Sequence, residues 1–310
     1  MPAGSRRRGE VYVRVAAGAG ARTIGKTLAQ EGIIRSGFHF VLWTKVLGAE
    51  GQLQAGEYKL HPGMTPLGVV WRIKNGRVAS PGVTIPEGLD VRQIAAVLAT
   101  AGLADEGEFL TLAHDAATVL EGSGLPLPPT NSLEGYLFPD TYRIAPGTPV
   151  GDILRLMVRR MHHMVAPLLE ERAAPLDFDF HQLLTLASIV EKEAKQAEER
   201  SLIAGVFLNR LRQGMPLQAD PTVKYVLQPA PVRLSLKDVE VDSPYNTYRY
   251  PGLPPGPIAS PGVEAIKAVL EPSRTEHLYF VARGDGTHIF SRTYREHLAA
   301  RRELDAVPLP

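Results

Sequence analysis

Two glutamates, Glu191 and Glu193, stand two positions apart in the stretch LASIVEKEA, Leu186 to Ala194. A carboxyl group held against apolar surface loses hydration, which favours its acid form and raises its pKa. Such a group can protonate a leaving oxygen near neutral pH. The stretch reads as helical, with Leu183, Leu186, Ala187, Val190 and Ala194 forming one apolar stripe. Glu191 falls at one edge, beside Leu184 and Ala187, and Glu193 at the other, beside Leu186 and Ile189. Residues two apart on a helix diverge by about 200°, so the two carboxylates cannot flank one bond. Periodicity does not choose between them. Both also fit as boundary residues with their heads in water, paired with Lys192, Lys195 or Arg200.

Three other stretches carry groups suited to a sugar. SLEGYLFPDTY, Ser132 to Tyr142, gathers Glu134, Tyr136, Phe138, Asp140 and Tyr142. Its bland reading is a structured turn around Pro139-Asp140 with Tyr and Phe as core. MPLQADPTVKY, Met215 to Tyr225, contributes Gln218 and Asp220. DSPYNTYRYPGLPPGPIASPG, Asp242 to Gly262, sets Tyr245, Asn246 and Tyr248 among prolines and glycines. Such a segment costs little entropy to hold in place. A Pro-rich connector explains its prolines but not the YNTY cluster. The nine histidines show no ligand spacing such as HExxH, so no metal site is expected. There is no P-loop, dinucleotide fingerprint or GxSxG.

The elements that must position these residues follow from periodicity. One long helix is expected from about Phe180 to about Arg212, ending before Gly214. HLYFVAR, a Gly-rich turn and HIFSRTYREHL read as a hairpin followed by a helix. The first half repeats itself. Gly18, Ile24, Leu28, Ala29 and Gly32 match Gly88, Ile94, Leu98, Ala99 and Gly102 at one constant offset. Tyr58, Pro62, Gly63, Thr65 and Pro66 match Tyr142, Pro146, Gly147, Thr148 and Pro149, with an insertion in the second copy. Each copy reads as strand, Gly turn, amphipathic helix, Gly stop, further helix, Tyr-bearing strand, Pro-Gly turn and closing helix. Two copies argue for duplicated small α/β modules rather than a solenoid. VASPG, Val78 to Gly82, is the expected joint.

At 310 residues the chain can bury a sizeable core and hold two or three modules. Its net charge of +1 gives no general signal for nucleic acid or an acidic partner. It has no cysteine, which removes disulfides and thiolate metal sites and leaves the compartment open. No apolar run is long enough for a membrane span. The opening MPAGSRRRGE is a basic tail, either a juxtamembrane remnant or a plain solvated start.

Taken together, SLEGYLFPDTY, LASIVEKEA, VFLNRL, MPLQADPTVKY, SPYNTY and GLPPGPIASPG resemble, in order and from about Val11 onward, the endolytic murein transglycosylases, the YceG-like or MltG family. The resemblance implies an α+β fold, with tandem small LysM-like α/β modules followed by a mixed, helix-rich catalytic domain. The expected boundaries are a tail at 1–10, a LysM-like module at 11–78 and a catalytic domain at 79–310. Within the last, 82–165 is the second repeat and 178–310 the catalytic part. The implied reaction cleaves the MurNAc–GlcNAc bond inside peptidoglycan strands and leaves 1,6-anhydro ends, ending nascent strands, with no cofactor and no metal. The family's catalytic glutamate is expected at the first Glu of the motif, Glu191. Gln218, Asp220, Tyr245, Asn246, Tyr248, Glu134 and Tyr136 are the expected substrate-binding residues. Peptidoglycan strands and cell-wall synthases are the implied partners. The implied location is the cell membrane facing the wall, although the family's amino-terminal anchor does not appear in this sequence. Two rivals remain: a non-catalytic wall-binding protein, and a hydrolytic muramidase, which would need a second carboxylate, with Asp220 the candidate.

Overall fold

The structure, a computed structural model, describes residues 11–16, 18–75, 82–145, 147–170 and 178–306. The basic tail, most of the expected joint at Val78–Gly82, and Pro146 lie outside them. The described chain divides into two compact units. One comprises the described residues up to Thr84 with Leu98–Leu103 and Thr141–Pro149; the other comprises Ile85–Val97, Ala104–Asp140 and the described residues from Val150 onward. Strand β3 (Val83–Thr84) stays with its hydrogen-bonded partner β4 (Thr141–Tyr142).

The first unit begins with β1 (Val11–Val15), α1 (Ala21–Gln30), α2 (Gly37–Val46), β2 (Gly56–Leu60) and α3 (Pro66–Lys74). β1 and β2 pair antiparallel. Alternation along β1 turns Val13 and Val15 inward, where they meet Ile24 and Leu28 of α1, Phe40 of α2 and Tyr58 of β2 in one core. Tyr58 is fully buried, and its hydroxyl donates to the Gln54 and Ile73 carbonyls, so the phenol leaves no polar group unmet. α1 and α2 approach through glycine. A Cβ added at Gly25 would lie 2.8 Å from the Gly37 carbonyl oxygen, and one at Gly37 would lie 2.6 Å from that of Gly25.

The sequence repeat is also a repeat of backbone conformation. Val13 pairs with Tyr58 in the first copy, and Val83 pairs with Tyr142 in the second. Matched glycines share positive φ: Gly18 and Gly88 at 73° and 75°, Gly32 and Gly102 at 73° and 68°, Gly63 and Gly147 at 90° and 80°. Side chains with a Cβ avoid that region, so glycine fixes where each copy turns. The second copy continues through α4 (Val91–Thr100) and α5 (Glu106–Ala113), its further helix, then α6 (Ala116–Leu120) within the inserted stretch, and closes with α7 (Val150–Glu170).

The second unit is built around α8 (Phe180–Glu193) and α9 (Arg200–Arg212), followed by α10 (Asp220–Val226), α11 (Val263–Leu270), the hairpin β5 (Tyr279–Ala282) and β6 (His288–Ser291), and α12 (Tyr294–Ala306). The Asp179–Gln182 capping box starts α8. Leu183 through Val190 are buried without interruption, because α8 packs against α9, α10 and α11. The single helix expected from Phe180 to Arg212 is in fact two. From Glu191 to Ser201 no large apolar side chain offers burial to offset a helical course. The chain turns out at Ala194 and restarts through a short 3-10 turn at Ala197–Glu199, whose Glu198 and Glu199 suit a helix start. The Pro-rich stretch is not a solvated connector: residues 256–262 are all buried, and Ser188 of α8 accepts a hydrogen bond from the Ile258 N–H at 3.0 Å.

The α1–α2 contact gives a direct test. Gly25→Val should lower unfolding stability by roughly 1–3 kcal/mol, the usual cost of overpacking. Gly32→Ala, where no atom lies within 4 Å but φ is 73°, should cost less. Urea denaturation of the two variants checks the order.

Candidate active site

The end of α8 and the start of α10 meet at a cleft of about 510 Å³. Glu193 and Asp220 line it together with Asp90, and the cations Arg92, Lys192, Lys195 and Lys224 surround them. Tyr225 and Ile258 supply apolar wall, and His288, the first residue of β6, lines it as well. Lys192 donates to the Gly88 carbonyl at 2.9 Å and Lys224 to the Val232 carbonyl at 3.0 Å, so both ammonium groups are held by main chain. His288 Nδ1 lies 2.6 Å from Glu199, whose other oxygen accepts the His288 main-chain N–H.

Glu193 is half-buried as a residue, and its carboxyl group is the enclosed part. Burial pushes its pKa up to about 8, the Asp220 charge adds to the rise, and Lys224 and the Asp220 main-chain N–H act against it. The carboxyl therefore carries its proton at neutral pH. Asp220 is held from behind by the Tyr248 hydroxyl, which donates to its Oδ1 at 2.5 Å.

Glu191 is placed elsewhere. It does not line the cleft; its Oε2 accepts the Gly262 N–H at 3.1 Å, beneath the main-chain pairing of Gly88 and Leu89 with Ser260. Burial raises its pKa, the Gly262 bond lowers it, and Glu87 raises it. The two glutamates thus leave α8 on opposite sides, as the helical turn requires.

Of the expected substrate-binding residues, Asp220 alone lines the cleft. Asn246 is fully buried; its amide donates to the Val239 and Val241 carbonyls and its oxygen accepts the Tyr248 N–H, so no part of it is left for a ligand. Tyr136 is buried as well. Its hydroxyl donates to His181 Nδ1 at 2.9 Å, and His181 Nε2 donates to the Pro255 carbonyl at 2.7 Å, which fixes the imidazole tautomer. Glu134 lies behind the cleft wall, accepting the Val91 N–H and the Tyr225 hydroxyl, each at 3.2 Å. Its burial raises its pKa to about 7. Tyr245 packs its ring 5.1 Å from that of Tyr225, and Tyr248 acts through Asp220. None of these five lines the cleft.

Gln218 has a different task. It holds a left-handed backbone at φ 53°, which costs a non-glycine residue of the order of 1–3 kcal/mol. Arg210, itself buried, restrains it: Nη2 donates to the Gln218 side-chain oxygen, Nε to the Pro216 carbonyl and Nη1 to the Leu278 carbonyl. The next turn is locked by Thr222 and Thr247, whose hydroxyls lie 2.8 Å apart, with Thr247 accepting the Ala219 N–H. This brace aims Asp220 at Glu193.

The sequence offers Glu193 as one of two candidate acids without singling it out, and does not point to Arg92, Lys224 or Tyr225. Lys224 and Tyr225 follow Asp220 by four and five positions, a helical neighbourhood visible in DPTVKY. Arg92 reaches the cleft from α4, where it pairs with Asp90 at 2.8 Å and lies 5.3 Å from the Tyr225 ring centre, and nothing local in sequence indicates that approach.

The fold and this cleft place the chain with a family of cell-wall proteins. The YceG-like family model matches residues 13–303, and the chain belongs to that family. It is 35% identical over 303 residues to an endolytic murein transglycosylase of Bacillus subtilis, covering 94% of this chain and 84% of that protein. It is 33% identical to the protein of the same name from Streptococcus pneumoniae, covering 88% of this chain but only 54% of that longer one. A crystal structure of a YceG-like protein from Listeria monocytogenes superposes with a TM-score of 0.64 at 32% identity, covering 94% of this chain and 99% of that one.

The Glu193 site has a thermodynamic signature. Its pKa lies near 8 in the folded chain and at the ordinary 4.5 when unfolded. Between those values the folded state holds a proton that the unfolded state has lost, so stability falls as pH rises, by up to about 1.4 kcal/mol per pH unit. Below the unfolded value Glu193 contributes no slope, and above about 8 the loss is complete. Glu193→Gln should remove this slope and be the more stable form at pH 9, with the gap closing toward pH 5. Urea unfolding of both proteins across that range measures it.

Proposed function

We propose that this chain is an endolytic lytic transglycosylase, cleaving the MurNAc–GlcNAc bond within peptidoglycan strands with formation of 1,6-anhydro ends, and that Glu193 is its acid and base. The relatives' shared name supports the reaction class. The observation that carries the residue assignment is the placement of the Glu193 carboxyl in the cleft, where burial raises its pKa, with Glu191 on the other side of α8. Glu193 protonates the glycosidic oxygen as the bond opens. The sugar's N-acetyl group stabilises the oxocarbenium-like centre, the sugar's own 6-hydroxyl attacks, and the Glu193 carboxylate takes up its proton. One group serves both steps, so no second carboxylate is required. In this reading Asp220, bound by the Tyr248 hydroxyl, supports the Glu193 proton through its charge rather than acting as a second carboxylate. Arg92 and Lys195 suit a substrate that bears carboxylates.

A second reading keeps Glu191 as the acid, favoured by its own raised pKa and by the family resemblance. We further propose that the first unit is a LysM-like module, that the protein acts at the membrane facing the wall, and that it ends nascent strands beside cell-wall synthases. Among the described residues no helix is long and apolar enough to cross a membrane.

Mass spectrometry of glycan strands after incubation tests the assignment. The native protein should yield anhydro ends, Glu193→Gln should lose activity by roughly 10²- to 10⁴-fold, and Glu191→Gln should stay within about tenfold of native. The reverse pattern would return the acid to Glu191. Reducing ends would indicate a hydrolase, and binding without cleavage a wall-binding protein. The rate should also fall as pH rises through about 8, where Glu193 loses its proton. Asp220→Asn, by removing the neighbouring charge, should move that limb to lower pH.

A further inference from the structure

In the first unit, α2 is apolar on nearly all sides. Phe40 and Thr44 face the core, while Phe38, Leu42, Trp43 and Val46 are exposed by 70%, 45%, 37% and 64%. A helix apolar all round is normally enclosed. On the arc that α2 turns to solvent, only His39 and Lys45 interrupt the apolar side chains. The adjoining α3 extends the surface with Leu67 and Trp71, one turn apart and exposed by 40% and 49%. Monomeric proteins seldom leave such a surface open without a use for it.

The charge around this face is one-sided. Residues 11–75 hold eight Lys and Arg against three Glu, a net +5. Residues 1–81 together reach +8, with twelve basic against four acidic side chains, whereas residues 82–310 carry 22 against 29, a net −7. The modest total of +1 conceals this separation. A basic module with an exposed aromatic and aliphatic face has the composition of a surface that settles at a lipid interface. A second copy of the module would be repelled by the same charge. A glycan groove would need amides, hydroxyls or carboxylates, and Phe38, Leu42, Trp43 and Val46 offer none.

We propose that α2 and the exposed edge of α3 dock the first unit on an anionic lipid bilayer. Phe38, Leu42, Trp43 and Val46 enter the headgroup boundary, and Arg35 and Lys45 meet lipid phosphates. This inference does not depend on the proposed reaction.

Both tryptophans of the chain, Trp43 and Trp71, lie on this face, so intrinsic fluorescence reports on it directly. The whole chain is mixed with vesicles of phosphatidylcholine containing phosphatidylglycerol, and with vesicles of phosphatidylcholine alone. The expected result is a blue shift and co-sedimentation with the anionic vesicles, much weaker on the neutral ones and weakened by salt. Phe38→Ser with Val46→Ser, and separately Lys45→Glu, should each lower partitioning by roughly tenfold while leaving the melting temperature near native. No shift and no co-sedimentation would overturn the proposal, as would partitioning that ignores these substitutions. A shift produced by glycan strands and not by vesicles would reassign the face to sugar. A shift that follows protein concentration alone would reassign it to self-association.

Discussion

The Glu193 carboxyl is buried where the last residue of α8 comes up against Asp220, the first of α10, and the chemistry of the cleft depends on that meeting. Burial there favours its proton, and the Asp220 charge is close enough to reinforce that preference. A free, solvated glutamate at a helix end would be ionised at neutral pH and useless as an acid. The break in the helix at Ala194 matters for the same reason, because it leaves Glu193 at an end rather than along a continuous flank.

Behind that meeting point is a scaffold of buried polar side chains. Arg210 restrains the left-handed Gln218, Thr222 and Thr247 lock the following turn, and Asn246 is spent entirely on its own loop. A strained backbone of this sort persists only where its surroundings hold it, and here what it aims is Asp220. Glu134, Tyr225 and Arg92 form a similar support on the α4 side. The cleft walls are therefore held by buried hydrogen bonds, which position groups more sharply than apolar packing does.

Much of this was legible in sequence. The duplication could be read from matched residues because the positive-φ glycines and the Val–Tyr pairings recur as physical requirements of each turn and strand. The helix start at Phe180 and the closing hairpin followed local signals. What remained hidden depends on long-range placement. A helical wheel puts Glu191 and Glu193 on opposite edges but cannot say which edge opens on a cleft; that is set by α10 and by the loop near Gly262, far along the chain. Asn246, Tyr136 and Glu134 were selected for residue type, and type alone does not separate a group that meets ligand from one that braces a loop. The charge separation between the first 81 residues and the rest was present in the sequence and was concealed by the total.

The central claim is that Glu193 is the carboxyl that keeps its proton at neutral pH. A pH titration of the protein labelled with ¹³C at the glutamate side-chain carboxyl, with Glu193→Gln used to assign the signal, tests it most directly. The account predicts a Glu193 midpoint near 8, moving down in Asp220→Asn. A midpoint near the ordinary 4.5 would contradict it.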